Sequence, residues 1–143
     1  MTVIVDTGPL VALADRRDPM QRAVHDLLAT EPGLLVVPAP VTAEADHLIG
    51  RRVGARSRRL FLRDLAAGRF HVACLEDGEC ATVERLDRAY EDLDLRLADL
   101  SVVVLADSFH TNRIVTFDER DFRPVRPLRG GSFEILPADG RPA

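Results

Sequence analysis

Val3-Ile4-Val5-Asp6-Thr7-Gly8-Pro9-Leu10 begins with three consecutive apolar residues and closes them with an acid. An unbroken apolar run, in place of an alternating one, is what a strand needs when both faces of its sheet are covered, and such strands belong to parallel sheets. Asp6 then stands where the strand ends, ahead of a Gly-Pro pair that reads as a turn or a helix cap. Outward from this stretch, Leu34 to Val37, Phe70 to Cys74 and Arg113 to Phe117 read as further strands, and Phe133 to Leu136 as an edge strand after the Gly130-Gly131 turn. Longer helical stretches alternate with them. Met20, Ala23, Val24, Leu27 and Leu28 follow the i, i+3, i+4, i+7, i+8 spacing of one helix face. A second helix is expected from Thr42, as N-cap, to Ile49, with Gly50 ending it. A third covers Ala55 to Ala67 with Phe61, Leu62, Leu65 and Ala66 as its buried stripe, and a fourth carries Cys80, Val83, Leu86, Ala89 and Tyr90. Leu97 to Phe109 is too long for a strand and reads as a helix. This alternation predicts an α/β domain with a mainly parallel central sheet of four to five strands.

The chain has 143 residues, enough for one domain, which is expected over 1–136 with a frayed tail over 137–143. No apolar run approaches the roughly 20 residues that span a bilayer. The first residues show neither a basic segment nor a cleavage site, so no export signal is expected and the reading is cytoplasmic. Cys74 and Cys80 form no CxxC and read as reduced, half-buried core residues. All 19 basic residues are arginine, which removes every mechanism that needs a catalytic lysine. The net charge of −4 argues against a protein that coats nucleic acid nonspecifically, so any such binding must come from a local patch. Arg51, Arg52, Arg56, Arg58, Arg59 and Arg63 make one candidate, as backbone contact or as partner surface. The four histidines show no metal-ligand spacing and read as structural.

Four acids lie in apolar contexts, where an isolated charge is costly unless paired or metal-bound. Asp6 and Asp118 follow strands, where sites of open α/β sheets form. Glu44 shares a helix face with Val41 and Leu48, and Asp99 with Val102, Val103 and Ala106. Brought together, the four make an oxygen-ligand site for a hard divalent cation. Asp121 is a substitute or helper for Asp118, Thr7 and Thr116 are auxiliary candidates through their hydroxyls, and Asp92 or Asp94 could hold an outer water.

The ordered set Val3 to Leu10, Val41-Thr42-Ala43-Glu44, Leu97-Ala98-Asp99 and Thr116-Phe117-Asp118-Glu119-Arg120-Asp121-Phe122 resembles PIN-domain nucleases, most closely the VapC-type toxin ribonucleases of type II toxin–antitoxin systems. The resemblance implies a three-layer α/β/α fold and an endoribonuclease dependent on Mg²⁺ or Mn²⁺. It places the catalytic role on Asp6, Glu44, Asp99 and Asp118, and implies products with 5′-phosphate and 3′-hydroxyl ends. It also implies a small inhibitory antitoxin and a homodimer. On this reading Asp6 and Asp99 ligate the metal, while Glu44 and Asp118 position the attacking water or a second ion. A PIN-like module that binds RNA or a partner without cutting is the alternative. Asp6-Thr7-Gly8 also fits an aspartic protease, but that fold is almost all β. Phospho-receiver domains and haloacid-dehalogenase-type phosphatases need a lysine that is absent here.

Overall fold

The computed structural model describes residues 1–140. Five strands, Thr2–Val5 (β1), Leu34–Pro38 (β2), His71–Ala73 (β3), Arg113–Val115 (β4) and Glu134–Leu136 (β5), form one sheet in the order β3-β2-β1-β4-β5. Every neighbouring pair is parallel, in registers such as Ile4 beside Val36 and Ile4 beside Ile114. Val3, Ile4, Val5, Val36, Val37, Ile114, Val115 and Ile135 are completely buried, which is why these strands carry unbroken apolar runs.

Seven helices connect the strands: Thr7–Ala14 (α1), Gln21–Thr30 (α2), Ala39–Arg52 (α3), Ala55–Ala66 (α4), Asp77–Ala89 (α5), Leu97–Ser108 (α6) and the single turn Glu119–Phe122 (α7). Helices α1 to α4 pack with one another and α5 packs with α6. The strand order moves one way from β1 through β2 to β3 and the other way to β4 and β5. Right-handed crossovers therefore place the two helix groups on opposite faces. The reversal falls between β1 and β4, and the crevice beyond their carboxyl ends is the switch point of the sheet.

Several local expectations change. Of the turn or helix cap read around Asp6, the structure takes the second: helix α1 begins at Thr7 with Asp6 at its N-cap position, though the Asp6 side chain makes no capping hydrogen bond. Pro9 is the third helical residue, where no intrahelical partner awaits an N–H, so the proline is tolerated. Helix α3 begins at Ala39, not Thr42, because Pro40 likewise fits a first turn. Thr42 is inside it, its hydroxyl donating to Ala39 O at 2.6 Å, and Gly50 lies within the helix, which ends at Arg52. On α4, Phe61 is buried but Leu62 is 41% exposed, so the buried stripe is narrower than expected. Cys74 and Cys80 are both exposed and unbridged, since one follows the edge strand β3 and the other lies on the outer face of α5. Residues 137–140, expected to fray, form a turn. The Asp139 carboxylate accepts from the Ile135 N–H at 2.8 Å and takes Arg123 bidentately at 2.7 and 2.9 Å. That pairing holds the Asp139 carboxyl down at about 2. The rest of the expected tail, 141–143, lies outside the described residues.

At the amino-terminal end of β4, Arg113 grips Glu31 bidentately at 2.8 and 2.9 Å. The pair ties the end of α2 to the start of β4. Among the described residues, no helix is long and apolar enough to cross a membrane.

Candidate active site

Each acid reaches the switch point from a different element. Asp6 continues β1, its N–H donating to Val115 O at 2.9 Å, so pairing with β4 holds its backbone. Its side chain is buried, and Thr116 Oγ1 donates to Asp6 Oδ2 at 2.7 Å. The same Thr116 hydroxyl accepts the Asp118 N–H at 3.0 Å, so one threonine links two acids. Glu44 lies on α3. The fully buried stripe of that helix is Val41, Ala45 and Ile49, and Glu44 with Leu48 flanks it at the lip of the crevice. Asp99 is the third residue of α6 and accepts the Arg96 N–H at 3.0 Å, an N-terminal capping contact that orients the carboxylate. Asp118 caps the one-turn helix α7, accepting the Asp121 N–H at 3.3 Å.

These groups line one open cleft of about 780 Å³ together with Thr7, Asp121, Arg52 and Phe117. The expected four acids and their auxiliaries therefore meet. Asp94 joins them at the rim, but Asp92 does not. Of the arginine cluster, Arg52 alone lines the cleft. Arg56 faces an adjacent groove, Arg51 and Arg59 line neither, and Arg58 pairs with Asp46 at 3.0 Å. None of the four histidines lines the cleft. Asp18 and Arg96 line it without having been expected. Arg96 had a readable signal, a cation three residues before Asp99 at a helix entry, whereas Asp18 sits in the loop after α1 and had none.

Electrostatics mark the cleft as starved of positive charge. Burial pushes the Asp6 carboxyl up to about 6, against its hydrogen bonds from Thr116 and the Thr7 backbone, and repulsion from Asp99 and Glu44 adds to the rise. Asp99 is also raised, first by burial and then by the Asp118 charge. Asp121 is pushed up to about 6 by burial and by its hydrogen bond to and repulsion from Asp118. The hydroxyl of Thr7, buried beside Asp6, has no hydrogen-bond partner. Among the described residues no three acids, histidines or cysteines converge into a ready-made cage for an ion. The mutual repulsion nevertheless shows that the carboxylates share one field. A hard cation that keeps several waters and takes only one or two carboxylates matches this loose, all-oxygen donor set. The residues present fit such an ion.

The PIN-domain family model matches residues 3–126. Ribonuclease VapC26 of Mycobacterium tuberculosis is 36% identical over 135 residues, covering 94% of this chain and all of that protein. The crystal structure of VapC20, a Sarcin-Ricin loop cleaving toxin from the same organism, superposes with a TM-score of 0.72 at 16% identity, over 78% of this chain and 86% of the other. VapBC2 from Rickettsia felis, bound to a DNA fragment from its promoter, gives a TM-score of 0.70 at 16% identity over 95% and 99%. An all-parallel five-stranded sheet with an acidic switch-point crevice, a family match over most of its length and a full-length VapC relative together show that this chain belongs to the PIN-domain family, among its VapC-type members.

Proposed function

We propose that the protein is an endoribonuclease of the toxin type, dependent on Mg²⁺ or Mn²⁺, and that the acidic cleft at the β1–β4 crevice is its active site. The observation that supports this most is the convergence of Asp6, Glu44, Asp99 and Asp118 from four separate elements on one open cleft of a PIN-family chain. Asp6 and Asp99 would hold the cation, being the two among these four acids with carboxyls raised by burial and charge repulsion, a condition that a bound cation relieves. When bound, the ion supplies Lewis acidity to water and charge to the scissile phosphate. The chain does the rest. Thr116 fixes the Asp6 carboxylate, the Arg96 backbone fixes Asp99, and Glu44 and Asp118 would position the attacking water or a second ion. In-line attack of that water breaks the bond from phosphorus to the 3′ oxygen and leaves a 5′-phosphate and a 3′-hydroxyl.

A small antitoxin is the proposed inhibitor. The groove next to the cleft has an apolar floor of Leu10, Leu13, Phe61 and Phe70 beneath Arg16, Arg17 and Arg56, and it meets the cleft at Arg52. Such a surface suits a peptide carrying both apolar and acidic residues. A homodimer and a cytoplasmic location belong to the same proposal, and light scattering of the isolated protein tests the first.

Cleavage of total RNA by antitoxin-free protein tests the function directly. Discrete fragments are expected with Mg²⁺ or Mn²⁺ and none with EDTA; a folded protein that leaves RNA intact with either metal is a binding module instead. A finer prediction concerns Thr116. Thr116→Val removes the hydrogen bond that holds the Asp6 carboxyl down, so the acid limb of the pH–rate profile moves to higher pH. Cleavage should fall about 10-fold near pH 6 and recover as pH rises. Thr116→Ser, which keeps the hydroxyl, should restore the wild-type profile.

A further inference from the structure

A polyanionic strand entering an acid-lined cleft needs a cation beside the acids. Two guanidiniums line this cleft, Arg52 and Arg96, and they are placed differently. Arg52 sits in the last turn of α3, where the cleft meets the apolar groove. Arg96 sits among the acids themselves. Its backbone N–H donates to Asp99 Oδ2 at 3.0 Å, while its Nη1 lies 3.7 Å from Glu44 Oε1. One residue therefore addresses two of the four acids through two separate groups.

The guanidinium contact does not look like a fold-stabilising bridge. Arg113 to Glu31 and Arg123 to Asp139 are bidentate, with distances between 2.7 and 2.9 Å. Arg96 meets Glu44 at a length beyond hydrogen bonding, and its side chain stays 78% exposed. An exposed pair of that kind is worth little and is easily released. The donor fork of Arg96 consequently remains available in the cleft, and a planar fork matches two oxygens of a phosphate.

We propose that Arg96 is a substrate-positioning residue: its guanidinium leaves Glu44 and takes phosphate oxygens of the bound RNA strand, setting the strand's register against Asp6 and Asp99. The proposal rests on the reading of the cleft as an RNA-cleaving site. A rival role, in which Arg96 merely dampens the acid cluster, predicts different measurements.

Steady-state cleavage of a short single-stranded RNA by wild type, R96Q and R96K at saturating Mn²⁺ separates the two, repeated from about 50 to about 200 mM salt. For R96Q we expect KM to rise about 10-fold with kcat within about 3-fold, and the logarithmic salt slope to fall by about one. R96K should recover the salt slope but only part of the KM, because it keeps the charge and loses the fork. Mn²⁺ titration followed by electron paramagnetic resonance, without RNA, should give wild-type affinity for R96Q. Unchanged KM and salt slope, with kcat or Mn²⁺ affinity altered instead, overturns the proposal in favour of the damping role. Anisotropy of the same RNA on D6N and D6N/R96Q reads the contact without chemistry. Equal binding by the two, or none by either, also overturns it. Weaker binding by D6N/R96Q beside a wild type that cuts no RNA would leave the Arg96 contact standing and remove the nuclease reading.

Discussion

Asp6→Asn should abolish RNA cleavage, by a factor on the order of 10³ or more, while the protein stays folded and becomes more stable at neutral pH. The loss of activity follows from the position of Asp6: it is the most buried of the four acids, at the switch point, in the fields of Asp99 and Glu44. The gain in stability follows from the same burial. Its carboxyl is raised to about 6 in the folded protein from 3.8, so the unfolded chain ionises first as pH rises. The favourable contribution is complete below about pH 4 and is lost as pH climbs through about 6, which leaves a penalty of about 3 kcal/mol at neutral pH. Asparagine removes the charge and keeps an oxygen to accept from Thr116. The measurement is the urea midpoint of wild type and variant from acid to neutral pH. The gap should open in favour of the variant across that window and then stay constant. Added Mg²⁺ should narrow it, because the cation stabilises the wild type by binding the folded state. A variant that still cuts RNA, or one less stable than wild type at neutral pH, would sink the assignment of Asp6 as a desolvated metal ligand.

The second large effect is on folding. Phe122 is the largest fully buried side chain, and it sits on the one-turn helix that Asp118 caps. So short a helix has no stability of its own and is held by what it buries. Phe122→Ala should therefore cost about 3–5 kcal/mol, a large share of the roughly 5–15 kcal/mol that holds a domain together. In thermal unfolding this should appear as a midpoint lowered by about 10 °C or more. Phe122→Leu, which refills most of the volume, should recover most of the loss. The two variants also separate packing from chemistry. Phe122→Leu should cleave RNA near the wild-type rate below its melting point, whereas a specific loss of cleavage in a stable protein would mean that Phe122 tunes the Asp118–Asp121 turn directly.

How legible the molecule was depends on the range of the interactions involved. Val3-Ile4-Val5 and the long apolar segment from Leu97 announce themselves locally, because a strand covered on both faces and a buried helix leave an unmistakable composition. Helix α1 left no periodic trace, since Leu10, Val11 and Ala12 are all buried and Gly8-Pro9 imitates a turn. The cysteines were misplaced for a related reason. A small apolar side chain suits either side of an edge strand or an outer helix, and only packing shows which. The start of α3 was hidden by two prolines that are equally at home ending a strand and opening a helix.

The candidate site divides along the same line. That Asp6 and Asp99 are costly acids was written in their neighbours, since desolvation is a matter of local apolar context, whereas Asp118, expected to be another, is exposed and Glu44 only partly buried. The convergence of the four was not so written, because 38 to 112 residues of chain separate Asp6 from the other three, and only the strand order β3-β2-β1-β4-β5 brings their elements to one crevice. The Thr116 hydroxyl bound to Asp6 across 110 residues, and the Arg96 guanidinium set beside Glu44, belong to that second kind of information. Composition and periodicity report what each segment must bury. Which charges then face one another is settled by the crossovers of the sheet, because electrostatic and hydrogen-bonded contacts act over ångströms and carry no trace in sequence distance.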